Sequence, residues 1–227
     1  MSGNGPLTAI VFDFDGVIAD TEPLHHQAFC RVVTDDGLDC SWDEYVRDYI
    51  GFDDRDLFRA AYRSVNRTLE PDELEQRIRA KADAFIALTE GGVKPYDGIP
   101  ELVHDVASRY PIALCSGALR SDIDPILKQL ELTDIFLTRV TAEDVKVSKP
   151  DPACYRLTVL RLNEVLGRTL DASTCLAIED TPGGIEAAKG AGLRVWGVTH
   201  THGATDIGHA DRVFESLHEV RDALDEE

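Results

Sequence analysis

Residues 8–21 read Thr8-Ala-Ile-Val-Phe-Asp-Phe-Asp-Gly-Val-Ile-Ala-Asp-Thr21, an apolar, β-branched run that ends in two carboxylates. The unbroken apolar stretch from Ala9 to Phe12 suits a parallel strand covered by helices on both faces. Ligands of open α/β sheets sit just beyond the carboxyl ends of the strands, where Asp13 falls. Successive side chains of a strand alternate faces, so Asp13 and Asp15 can converge only if the chain bends near Gly16. Taken alone, the pair reads equally well as the end of a strand and the start of a turn.

Other stretches repeat the pattern of an apolar strand followed by a polar residue. Ser116 follows Ile112-Ala-Leu-Cys115, and Glu179-Asp180 closes Cys175-Leu-Ala-Ile178. Lys149 lies in Val147-Ser-Lys-Pro-Asp-Pro152, just ahead of a helical pattern.

Composition narrows the function classes. The 227 residues carry 23 Lys plus Arg against 42 Asp plus Glu, a formal net charge of −19. Nucleic acids and anionic membranes are disfavoured as partners, since each needs a basic patch. Small anionic substrates stay admissible, because salt screens the long-range field within roughly 8 Å and local cations decide binding. The five cysteines form no CxxC pair, and Cys115, Cys154 and Cys175 lie in apolar patterns, so reduced, packed thiols are expected throughout. The first apolar run is too short to span a bilayer and has no basic segment before it. A cytoplasmic monomer is the expectation.

Along the chain, Asp20 and Thr21 can cap a helix beginning near Pro23. Residues 42–50, 55–65 and 74–88 carry apolar residues at helical spacing and no convincing strand, which reads as a helical insert. Gly91-Gly92 and Pro95-Tyr-Asp-Gly98 mark its return. Strands and helices then alternate to the end, which predicts an α/β fold: a doubly wound parallel sheet with an inserted all-helical cap. Residues 1–21 and 95–227 form the expected core domain and 22–94 the cap.

In order and strand context, these motifs resemble those of the haloacid dehalogenase (HAD) superfamily of phosphotransferases over nearly the whole chain. The segment Asp15-Gly-Val-Ile-Ala-Asp-Thr-Glu-Pro-Leu-His25 is similar to the helical-cap branch that holds β-phosphoglucomutase, phosphoglycolate phosphatase and related phosphatases. The resemblance implies a Rossmann-like core whose cap closes over the site. It implies Asp13 as a nucleophile that becomes an aspartyl phosphate, and Asp15 as the acid/base. Ser116, Gly117 and Lys149 would hold the phosphoryl group. Four carboxylates in one crevice require a divalent cation, and hard oxygen ligands favour Mg²⁺. Asp13 and Asp180 side chains and the Asp15 carbonyl are the implied ligands, with Glu179 bound directly or through water.

His25, Arg55 and Lys81 match cap positions of the mutase and are candidate substrate contacts. For Asp53, Asp54 and Arg55, helix capping and a surface ion pair are equally open. The mutase grips the distal phosphate of a bisphosphate with a Ser-Lys pair where this chain has Ala118-Leu119, which favours hydrolysis of a phosphomonoester. The expected function is a Mg²⁺-dependent phosphatase of a small phosphorylated metabolite, a sugar phosphate or phosphoglycolate. A phosphosugar mutase and a non-catalytic phosphate sensor stay open as alternatives. His200 and His202 read as a solvated or loosely packed pair rather than a second metal site.

Overall fold

The structure is a computed structural model that describes residues 5–38 and 40–227. Residues 1–4 of the expected core and residue 39 of the expected cap lie outside the described residues. Six parallel strands form one sheet in the order β3-β2-β1-β4-β5-β6: β1 (Ala9–Phe12), β2 (Ile112–Cys115), β3 (Thr138–Val140), β4 (Cys175–Glu179), β5 (Arg194–Val198) and β6 (Arg212–Phe214). β1 lies at the centre, with Phe12 opposite Leu114 on one side and Ile178 on the other. All four of its residues are fully buried, as an unalternated apolar run requires when both faces are covered.

Two apolar clusters cover the faces. One packs α5 (Ile99–Arg109), α6 (Arg120–Gln129) and α9 (Leu217–Leu224) against Ile10, Phe12, Leu114 and Ile178. The other packs α7 (Ala153–Leu166) and α8 (Pro182–Gly190) against Ala9, Val11, Ala113 and Ala177. Strand alternation thus sends neighbouring residues of one strand to opposite layers.

Between β1 and α5 the chain folds into α1 (Glu22–Val33), α2 (Trp42–Asp48), α3 (Asp54–Ser64) and α4 (Pro71–Thr89). Their shared faces form a third cluster around Phe29, Tyr45, Phe58 and Tyr62, separate from the sheet layers. This is the expected all-helical cap. Its two connections run side by side, Asp20 N donating to the Lys94 carbonyl and Tyr96 N to that of Ile18. No described helix is long and apolar enough to cross a membrane.

Two local expectations are corrected. Thr21 occupies the N-cap position of α1, but its hydroxyl does not cap the helix. It donates instead to Asp15 Oδ1 at 2.5 Å, a charge-assisted bond stronger than one to a backbone amide. Cys30 and Cys40 are joined in a disulfide, while Cys115, Cys154 and Cys175 are free and buried as expected. Spacing hid the pair: Cys30 lies on α1 and Cys40 at the entry to α2, and only packing of the cap brings their Cα atoms to 5.7 Å. Denatured without reductant, the protein should therefore present three titratable thiols to Ellman's reagent and five after reduction. Five without reductant would refute the bridge.

Candidate active site

The site lies where β1 and β4 end beneath the cap. Phe12 is the last residue of β1, and Asp13 N still donates to the Ile178 carbonyl at 3.0 Å. The chain then turns: the Phe14 carbonyl accepts from Ile18 N at 2.8 Å and Ala19 N at 3.2 Å, with Gly16 left-handed at φ 75°. This turn brings Asp13 and Asp15 to the same cavity, which is also lined by His25, Asp54, Lys81, Gly117 and Lys149. The cavity measures about 50 Å³, room for a small polar group.

Lys149 is the electrostatic centre. Its buried ammonium donates to Asp13 Oδ1 at 2.7 Å, Glu179 Oε1 at 2.6 Å and the Cys115 carbonyl at 3.1 Å. Burial alone would lower its pKa, but Asp13 and Glu179 raise it well above the ordinary lysine value. Glu179 Oε1 also accepts from Tyr155 Oη at 2.7 Å, and its Oε2 accepts from Asp180 N at 3.2 Å and Thr181 Oγ1 at 3.3 Å. Both oxygens of Glu179 are thus engaged by protein donors. Tyr155 was not singled out in the sequence. It sits inside an ordinary amphipathic helix pattern, and only its hydroxyl meeting Glu179 reveals a role.

Asp15 is held differently. Its Oδ1 accepts from Thr21 and from His25 Nε2 at 3.1 Å, and Ser116 Oγ donates to its Oδ2 at 3.3 Å. Burial acts to raise its pKa, but His25, Thr21 and Lys81 outweigh that and the carboxyl lies below its usual range. Asp13 behaves oppositely. Burial, together with Glu179 and Asp15, holds it well above the carboxylate value despite Lys149.

Asp180 is raised by burial and by the charges of Asp13 and Glu179. Thr201 donates to its Oδ2, while its Oδ1 is buried with no partner. Ligand oxygens of Asp13, Glu179 and Asp180 lie within 4.8 Å of one another. An orphaned carboxylate oxygen beside two further carboxylates fits a hard divalent cation, which would supply the missing positive charge.

The cap contributes Lys81 and Arg55. Lys81 pairs with Asp54 and lies 3.1 Å from His25 Nδ1, so a line of contacts runs from α4 to Asp15. Arg55 pairs with Asp53 through Nε at 2.7 Å and reaches across to the carbonyls of Val145 and Ala142 in the core. Asp53 accepts from Asp56 N, capping α3. The loop thus caps α3 and forms an ion pair, with Asp53 buried rather than at the surface, and Asp53, Asp54 and Arg55 line cavities. His200 Nδ1 lies 2.8 Å from the Gly16 carbonyl, and the ring stacks on Tyr96.

The family model for haloacid dehalogenase-like hydrolases matches residues 10–198. The chain belongs to that family. A phosphorylated carbohydrates phosphatase of Thermotoga maritima is 31% identical over 198 residues, spanning 86% of this chain and 87% of that protein. The crystal structure of CbbY from Rhodobacter sphaeroides in complex with phosphate superimposes with a TM-score of 0.80 at 26% identity, covering 94% of this chain and 96% of that one. β-Phosphoglucomutase from Clostridium difficile shares the fold, with a TM-score of 0.84 at 23% identity over 97% and 98% of the two chains. This HAD-family chain is accordingly an enzyme, a phosphatase with sugar-phosphate phosphatases among its relatives.

Gly16 offers a test of the turn. A Cβ there would fall inside the van der Waals envelope of the Asp180 carboxylate, and its φ of 75° strains any L side chain. Gly16→Ala should lower the urea-unfolding free energy by about 1–3 kcal/mol and reduce phosphate release at least about tenfold through displaced Asp180. An unaltered urea midpoint and turnover would show that the turn tolerates a side chain.

Proposed function

We propose that the protein is a Mg²⁺-dependent phosphomonoesterase that acts on a small phosphorylated metabolite through an aspartyl-phosphate intermediate on Asp13. The observation that carries this reading is the separation of the two carboxylates of one turn into different environments. Asp13 is clamped by Lys149 at the floor of the cavity, and Asp15 is oriented by Thr21, His25 and Ser116 at its side.

In this mechanism Lys149 fixes Asp13 Oδ1 and leaves Oδ2 to attack phosphorus in line. Lys149, Ser116 Oγ and the backbone at Gly117 cradle the equatorial oxygens as charge spreads over them. Asp15 protonates the departing oxygen. The carboxylate form favoured in the closed site suits the second half-reaction, in which Asp15 takes a proton from the water that releases phosphate. In the first half a phosphoryl dianion seated against Asp15 raises its proton affinity by like-charge repulsion.

Asp13 and Asp180 side chains, with the Asp15 carbonyl, would hold Mg²⁺, and Glu179 would reach it through water because both of its oxygens already accept donors. When bound, Mg²⁺ neutralises the crowded carboxylates and polarises the phosphoryl oxygens. The cap, residues 22–94, excludes water while the core, residues 1–21 and 95–227, does the chemistry. Hydrolysis is favoured over mutase transfer because Ala118 and Leu119 offer no cation at the place where a second phosphate would be gripped.

Two measurements test this. Millimolar Mg²⁺ should raise the melting temperature by several degrees, as expected for a ligand that binds only the folded state, and the Asp180→Asn variant should lose most of that shift. An identical melting temperature with and without Mg²⁺ would count against the metal site. Phosphorus NMR on phosphosugars and phosphoglycolate with Mg²⁺ should show inorganic phosphate accumulating, and Asp13→Asn should abolish it without altering the circular dichroism spectrum. Migration of phosphate to another carbon without release would make the protein a mutase.

A further inference from the structure

Asp54 sits at the junction of the catalytic cavity and a second one of about 150 Å³ between cap and core. The second cavity is lined by Ile78, Leu119 and Ala142 together with Gly117, Arg55 and Glu143, and Gly117 is shared with the first, so it opens beside the phosphoryl cradle proposed above. One oxygen of Asp54 is fixed by the buried ammonium of Lys81. The other, Oδ2, is buried with no partner. A buried carboxylate oxygen left without a donor is costly, and it is satisfied by a donor on whatever fills the space beside it.

The charges around this oxygen are unfavourable to a second anion. Glu22 and Asp53 line the first cavity, Asp53 and Glu143 the second. Every cationic side chain lining either cavity already has a carboxylate partner: Lys149 with Asp13 and Glu179, Lys81 with Asp54, His25 with Asp15, and Arg55 with Asp53. Arg120, next to Leu119, is paired with Asp144. A carboxylate or second phosphate on the leaving group would enter facing Asp54 with no uncommitted cation to receive it. A hydroxyl would donate to Oδ2, while carbon faces of the carrier rest on Ile78, Leu119 and Ala142.

We infer that Asp54 selects the leaving group, admitting monophosphates of neutral polyhydroxylated carriers and rejecting phosphoglycolate and bisphosphates. This rests on the hydrolase reading above and narrows it from phosphorylated metabolites to polyol and sugar monophosphates. Asp54 is a specificity residue; it is assigned no contact with the reacting phosphoryl atoms and meets Asp15 only indirectly, through Lys81 and His25.

The test is phosphate release by the full-length, Mg²⁺-loaded protein from glucose 6-phosphate, phosphoglycolate and fructose 1,6-bisphosphate, with p-nitrophenyl phosphate as an ester whose leaving group has no hydroxyl donor. The hexose monophosphate should exceed phosphoglycolate in kcat/KM by about 100-fold or more. Asp54→Asn should narrow that ratio by about tenfold, the KM for the hexose ester rising and that for phosphoglycolate falling. Leu119→Lys, a change at a partly exposed position, should raise kcat/KM for the bisphosphate by about tenfold relative to the monophosphate.

A wild-type preference for phosphoglycolate or the bisphosphate overturns the inference. So does an Asp54→Asn variant that slows every ester, p-nitrophenyl phosphate included, in equal proportion, which is the signature of a purely structural role. In both cases the hydrolase reading stands. Failure of the wild-type protein to release phosphate from any of the four esters overturns both.

Discussion

The site depends on one buried ammonium. Lys149 lies between Asp13 and Glu179, all three withdrawn from water, and neither carboxylate has another cationic partner among the described residues. Removing one member of such an arrangement costs about 3–5 kcal/mol, because the survivors stay buried with their charge uncompensated. Tyr155 adds a hydroxyl to Glu179 and its ring to the ammonium, with Nζ 5.1 Å from the centroid. The strand ends, the turn after Phe12 and the start of α7 are all held in register by this cluster. One lysine does not balance Asp13, Asp15, Glu179 and Asp180, and the residual negative charge is what suits the site to the divalent cation proposed above.

The second constraint is the contact between cap and core. Arg55 reaches carbonyls of the core, Ser148 Oγ donates to Asp56 at 2.5 Å, and Gly51 approaches Thr181 closely enough that a Cβ would touch its methyl group. Through Lys81 and His25 the cap also reaches Asp15 itself. In the mechanism proposed above, closing the cap would do two things at once. It would desolvate the phosphoryl position and set the proton affinity of Asp15, the group assigned to protonate the leaving oxygen. The carrier site inferred above is assembled from both parts, since Asp54 and Ile78 belong to the cap helices while Leu119 and Ala142 belong to the core.

Much of this was legible in the chain. The buried central strand, the helical insert and the alternation after residue 95 follow from apolar periodicity, and the elements formed within a few residues of their expected places. Asp13, Asp15, Ser116, Lys149, Glu179 and Asp180 stand out because strand ends beside polar residues are where an open parallel sheet holds ligands. Thr21 and the Cys30–Cys40 pair depart from expectation for a common reason. A hydroxyl at an N-cap position and thiols ten residues apart have ordinary local roles, and only long-range packing supplied the competing partners, the Asp15 carboxylate for Thr21 and Cys40 for Cys30.

What the sequence by itself determined was the sheet and the insert, because burial, strand alternation and turn chemistry act over short distances and leave periodic marks. The candidate site residues were marked by their place after apolar runs and by the family resemblance of their motifs. What only the tertiary structure decided was which atoms of those side chains are spoken for. That Glu179 has no oxygen to spare, that Tyr155 steadies it, and that Asp54 Oδ2 and Asp180 Oδ1 are left without donors are facts of three-dimensional proximity between residues far apart in the chain. No local pattern encodes them, since a hydrogen bond across the fold depends on where packing places both of its ends.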